Sequence, residues 1–146
     1  MSDECRDSII KEAALIFGSS IRIAQYDIQR NGPKGVDPMD GTVVLFEGAS
    51  LFLPSLLDSF SRVDSIIFVE PEYSRDLLPA FPKIECPTLI ISRRTEENVA
   101  YINALKFHDH IAGSILKATM RGSICENGMH QALREISAFV KETYGE

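Results

Sequence analysis

The chain has 146 residues, of which 45% are hydrophobic and 25% charged, and its formal net charge is −6. The length and this ordinary balance fit one soluble domain over residues 1–146 that buries a core without disulfides or metal. The negative charge argues against a nucleic acid or an acidic membrane surface as the partner.

The first third of the chain predicts a helix, a strand and a loop. Apolar residues at helical spacing predict a helix over residues 3–17, which Gly18 ends. Residues 21–26 predict a short strand that ends at Asp27. The polar stretch 29–41 is rich in glycine and proline, which is typical of a loop.

From Thr42 onward, predicted strands and helices alternate. The predicted strands are residues 42–47, 65–70, 88–92 and 114–119. The predicted helices are residues 51–60, 96–107 and 128–143, with one or two helical turns over 72–81. Continuous runs of Val, Ile and Leu indicate strands that are covered on both faces. We therefore predict an α/β fold: three α/β/α layers around a mostly parallel sheet of about five strands.

Parallel sheets of this kind bind ligands beyond the carboxyl ends of their strands. The polar residues that follow the predicted strands are therefore candidate site residues. They are Asp27, residues 48–50, Glu70, residues 92–96 and residues 121–123.

Three segments carry a resemblance to a known family. They are Val44-Leu45-Phe46-Glu47-Gly48-Ala49-Ser50, Pro87-Thr88-Leu89-Ile90-Ile91 and residues 114–140. In order, they resemble the nucleophile elbow, the strand before the acid, and the last strand, histidine loop and closing helix of an α/β-hydrolase. Residues 5–30 resemble the preceding helix and strand more weakly. The resemblance implies an α/β-hydrolase-like domain without the N-terminal strands and cap.

Ser50 stands at the family's nucleophile position. Gly48, Ala49 and Ser50 match the pattern Gly-x-Ser-x-Gly, but Phe52 replaces the second glycine. The resemblance implies that Ser50 is the nucleophile and that the amide of Leu51 is an oxyanion donor. Serine is also a good N-cap for the helix that follows, and we favour this interpretation.

The other two triad positions fit less well. The resemblance places the acid at Glu96, which suits the first turn of a helix equally well. It places the histidine at Ser123, and a serine cannot take a proton from Ser50 near neutral pH. His130, in the first turn of the last predicted helix, is the replacement base if the preceding loop rearranges.

One central strand of the family's sheet has no counterpart in this sequence. The same missing segment would supply the second oxyanion donor, whose loss typically costs about two to three decades in rate. Either the strand at 21–26 takes its place, or another subunit completes the sheet. The second option predicts association between chains.

The remaining histidines and the cysteines do not predict a metal site. His108 and His110 have no third ligand at a suitable spacing, and we expect them on a surface loop. Cys5, Cys86 and Cys125 form no disulfide framework and no Cys-x-x-Cys pair, which favours a reducing compartment. We interpret Cys125 as a small hydrophobe instead of a substitute nucleophile.

The location follows from two further features. No apolar run is long enough to span a bilayer, and residues 1–4 carry acids where a signal peptide carries positive charge. We therefore predict a cytoplasmic protein with no membrane partner.

Three functions are compatible with the sequence. The favoured one is a catalytically degenerate binding or interaction module that forms a homo-oligomer, uses no cofactor and takes an ester or acyl compound as its small-molecule ligand. The second is a weak serine esterase or thioesterase that uses Ser50, His130 and Glu96. The third is a small flavodoxin-like nucleotide-binding domain, although the sequence contains neither Gly-x-Gly-x-x-Gly nor a Walker-type run.

Overall fold

The computed structural model describes residues 23–27, 32–33, 42–46, 50–51, 53–54, 57, 64–93, 99–119 and 129–144. Strands and helices alternate along these residues, which confirms the predicted α/β class. The helix predicted over residues 3–17 lies outside them.

The described strands form one sheet. They are β1 (Ile23–Asp27), β2 (Gly32–Pro33), β3 (Thr42–Phe46), β4 (Ser65–Val69), β5 (Thr88–Arg93) and β6 (Ile115–Thr119). The order across the sheet is β2-β1-β3-β4-β5-β6. Neighbours from β1 to β6 run parallel, and β2 pairs antiparallel with the outer side of β1.

The position next to β3 is filled by β1, a strand of the same chain. Ile23 of β1 is the register partner of Thr42, and the two strands run parallel. Of the two options that the sequence left open, the structure therefore has the first, in which the strand predicted at 21–26 lies beside β3. The second subunit is not needed to complete this side of β3.

One helix follows each of the last two described strands, β5 and β6. Helix α1 covers Val99–His110 and helix α2 covers Met129–Tyr144. Helix α1 contacts β5 and β6, and α2 contacts the same two strands. Between β4 and β5 the chain forms two short 3-10 helices, Arg75–Leu77 and Phe81–Lys83, where one or two helical turns are predicted. Residues 53, 54 and 57 of the helix predicted after β3 are helical.

The central strands bury successive side chains, which point in turn to the two opposite faces of the sheet. One set forms a cluster with α1 and the crossover segments: Val43, Leu45, Ile66, Phe68, Ile90, Leu53, Leu77, Phe81 and Phe107. The alternate residues Ile67, Val69, Leu89 and Ile91 are also buried. Strands that are covered on both faces have continuous apolar sequences, as the predicted strands of this chain do.

Two predictions about the connecting segments are wrong. Gly32 and Pro33, inside the predicted loop 29–41, pair with Asp27 and Tyr26. Two residues without apolar alternation give no strand signal, and a proline without an N–H suits an edge strand. His108 and His110 lie in the last turn of α1 and not on a surface loop, because the helix continues past its last apolar residue.

None of the helices that these residues form is long and apolar enough to cross a membrane.

Candidate functional site

Buried polar side chains lie near both ends of the described strands, and three of them lie at the carboxyl edge of the sheet. Ser50 follows β3, Glu70 follows β4, and Ser92 lies near the end of β5; all three are buried. Glu70 and Ser92 come directly after Val69 and Ile91, which are register partners. Burying polar groups costs free energy unless they are hydrogen-bonded. Ser65, Thr88 and Ser114 are also buried, near the starts of β4, β5 and β6, so burial alone does not single out the carboxyl edge.

The backbone of Glu70 has an unusual conformation. Its φ is +50°, the only positive φ of a non-glycine residue within the part of the chain that the structure describes. The left-handed region is unfavourable for a residue with a Cβ, and Pro71 restricts the preceding residue further. The amide of Glu70 still donates to the carbonyl of Ile91 at 2.8 Å. The chain therefore follows β5 for one residue beyond β4 and then turns sharply.

This turn brings the backbone of Glu72 onto the side chain of Ser50. The Ser50 Oγ donates to the Glu72 carbonyl at 2.8 Å, and the Glu72 amide donates to the same Oγ at 3.0 Å. A carbonyl oxygen carries no proton, so the single hydroxyl proton of Ser50 lies in the first bond. A general base would need that proton, and a substrate would need access to an Oγ that is fully buried.

The turn is held on its far side by α1. The Lys106 Nζ lies 4.7 Å from the centre of the Tyr73 ring, within the range of a cation–π interaction. Tyr73 also stacks on Phe81 with ring centres 6.5 Å apart. Phe81 in turn meets Phe107 of α1 edge to face at 5.0 Å. Tyr73, which follows Glu72, is thus packed against the main core.

The predicted triad is only partly within the described residues. Glu96 and Ser123 lie outside them. His130 is the second residue of α2, so its backbone stands in the first turn of the helix as predicted. Leu51 follows Ser50 directly and exposes its side chain. The triad of Ser50, Glu96 and His130, the Leu51 oxyanion donor and the Ser50 N-cap all stay predictions.

The two histidines of α1 point in different directions. Residues two positions apart on a helix are separated by about 200° around its axis. The Nδ1 of His108 lies 2.8 Å from the Ser114 Oγ, whereas the Nδ1 of His110 donates to the Lys106 carbonyl at 2.7 Å. Across the described ranges, no three His, Cys, Asp or Glu side chains are grouped to hold a metal ion.

Cys86 packs partly against the core beside the start of β5. Burial raises the pKa of its thiol, and Asp64 adds to this increase, while hydrogen bonds from the backbone and Thr88 oppose it. A raised pKa lowers the thiolate fraction at neutral pH, so this thiol is a poor nucleophile. Cys5 and Cys125 lie outside the described residues.

The sequence missed the element that matters most at this edge, the turn from Glu70 to Tyr73. A signal for a turn was present, because Pro71 directly follows an apolar strand and Glu70 was a candidate position. Nothing in the sequence indicated the left-handed backbone of a glutamate or its effect on Ser50, 22 residues earlier.

Comparison of the chain with protein-family models, with curated protein sequences and with solved structures found no match in any of the three. The resemblance to α/β-hydrolases stays a proposal.

Proposed function

We propose that this chain is an α/β-hydrolase-like domain that does not turn over esters and acts as a binding or interaction module. The observation that carries this proposal is the pair of hydrogen bonds between the Ser50 Oγ and the backbone of Glu72. The hydroxyl is buried and its proton is donated to a carbonyl. Transfer of that proton to any base would first require the turn after β4 to move.

The proposed three-layer arrangement is supported by the two faces of β6. Leu116 packs against the cluster that contains Phe107 of α1. Lys117 is the next residue, and neighbouring residues of a strand point to opposite faces. The Lys117 Nζ lies 3.8 Å from the Glu135 Oε2 of α2. These contacts favour α1 and α2 on opposite sides of the sheet.

The direction of β2, and not the order of the strands, argues against a flavodoxin-like interpretation. The observed order β2-β1-β3-β4-β5-β6 contains the flavodoxin-like order 2-1-3-4-5. A flavodoxin-like sheet needs a parallel strand on the outer side of β1, reached through a crossover of a dozen or more residues. Here the strand at that position is β2, which is antiparallel and only four residues beyond β1.

The ligand, assembly and location are proposed from the sequence. We propose an ester or acyl compound as the ligand, because the resemblance places such groups at the turn after β3. A homo-oligomer and a cytoplasmic location complete the proposal, the latter because the three cysteines form no disulfide framework.

Labelling with a fluorophosphonate probe, measured by intact mass, tests the absence of turnover. We expect no adduct on the folded protein, while an active serine hydrolase treated in parallel is labelled. A stoichiometric adduct that disappears in Ser50→Ala would overturn the proposal, because it would show an activated Ser50.

Ser114→Ala is the matched control for this labelling. Ser114 is also buried, and its Oγ lies 2.8 Å from a histidine nitrogen. An adduct that persists in Ser50→Ala but disappears in Ser114→Ala would also overturn the absence of turnover, and it would move the reactive group to the turn before β6.

A further inference from the structure

Two features distinguish the 70–72 turn, which consists of Glu70, Pro71 and Glu72. One is an unfavourable backbone conformation, and the other is a pair of hydrogen bonds to a single side chain. Glu70 has a φ of +50° directly before a proline. Glu72 is held through both of its backbone polar groups by one side chain, that of Ser50. Strain of this kind persists only where the surrounding structure enforces it. The two hydrogen bonds to Ser50 are part of what enforces it here.

We propose that the 70–72 turn is a gate over Ser50 with a closed state, seen in the structure, and an open state. In the open state Glu70 leaves the left-handed region, and Glu72 releases the Ser50 hydroxyl. Opening relieves the backbone of Glu70 and breaks the two hydrogen bonds, so the two contributions oppose each other. A ligand or partner that binds only one of the two states would shift this balance.

The contacts on either side confine the motion to this turn. At its first residue, the Glu70 amide is bound to the Ile91 carbonyl of β5 at 2.8 Å. After it, Tyr73 is held by Lys106 of α1 and by Phe81. The sheet and α1 therefore stay in place while the gate opens. Opening exposes Ser50 whether or not its hydroxyl has any reactivity.

Hydrogen exchange of the Glu72 amide, measured by NMR, reports the open state, because this amide donates to Ser50 only when the gate is closed. The matched variants are Glu70→Gly and Glu70→Ala. Both remove the carboxylate, but only glycine adopts a positive φ without steric cost. We expect the Glu72 amide to exchange about fivefold faster in the alanine variant than in the glycine variant. The Ile67 amide of the central strand β4 serves as the reference for global unfolding.

Ser50→Ala provides a second test if Glu70→Ala does not fold. It removes the acceptor of the Glu72 amide, and we expect faster exchange at Glu72 relative to Ile67. The gate would be overturned if the two Glu70 variants exchanged equally at Glu72, or if Glu72 exchanged only together with Ile67. Equal exchange leaves the proposed absence of turnover intact, whereas a fluorophosphonate adduct at Ser50 overturns that absence and leaves the gate intact.

Discussion

At the scale of single residues, the hydrogen bonds of Ser50 support the structural role that we propose for it. A serine on a turn after a parallel strand is compatible with a nucleophile and with a structural residue, and the residue type does not distinguish them. The bond to the Glu72 carbonyl supports the structural role, because a structural serine satisfies backbone groups while a nucleophile offers its proton to a base. Its complete burial agrees with the structural role.

We expect Ser50→Ala to destabilise the fold by about 1–3 kcal/mol, because it leaves a backbone amide and a carbonyl of Glu72 without their partner. The measurement is the free energy of unfolding in urea. The matched control is Ser74→Ala, which also removes a serine that accepts from a backbone amide, that of Asp76, but at 3.3 Å and in an exposed position. A loss for Ser50→Ala no larger than for Ser74→Ala would contradict the structural role.

At the scale of elements, apolar content decided what could be predicted. The strands of Val, Ile and Leu begin and end within two residues of their predicted bounds, because burial on both faces requires continuous apolar runs. Strand β2 has no such run, since its two residues form an edge. Helix α1 ends with His108, Asp109 and His110, whose polarity hid the last turn.

The candidate site also has one feature that the sequence predicts and one that it does not. Its location at the carboxyl ends follows from strand direction, which the sequence pattern contains. Its chemistry depends on the backbone of Glu70, and local preference predicts the opposite conformation for a glutamate before a proline. A residue held against its preference by distant contacts cannot be inferred from its neighbours in the sequence.

One buried aromatic side chain of helix α1 contributes more to the stability of the fold than the exposed apolar side chains of the same helix. The ring of Phe107 is fully buried between Phe68 and Phe81, with ring centres 4.9 and 5.0 Å away. We expect Phe107→Ala to cost about 3–5 kcal/mol in unfolding free energy, which is a large part of the stability of a typical domain. The thermal midpoint and urea denaturation measure this loss.

The control for Phe107→Ala lies on the same helix. Val99 is 68% exposed, so we expect Val99→Ala to change stability by less than about 0.5 kcal/mol. A comparable loss for both variants would mean that the helix itself, and not the aromatic packing, limits stability.

At the scale of the whole molecule, the proposed third layer can be tested within β5. Ile90 and Ile91 are neighbours of the same residue type, both fully buried, and they point to opposite faces of the sheet. Ile90 belongs to the cluster that includes α1, whereas Ile91 lies in register with Lys117, whose partner is Glu135 of α2. Each face should therefore have its own packed layer.

We expect Ile90→Val and Ile91→Val each to lose about 1 kcal/mol of unfolding free energy, because each removes one methylene group from a close-packed interior. The valine substitution keeps the β-branched side chain, so strand propensity does not change the comparison. Urea denaturation at several protein concentrations measures both losses and also detects association, which would make the midpoint depend on concentration. If only Ile90→Val were destabilising, the face of Ile91 would lack a packed layer, and the arrangement of α1 and α2 on opposite sides would be wrong.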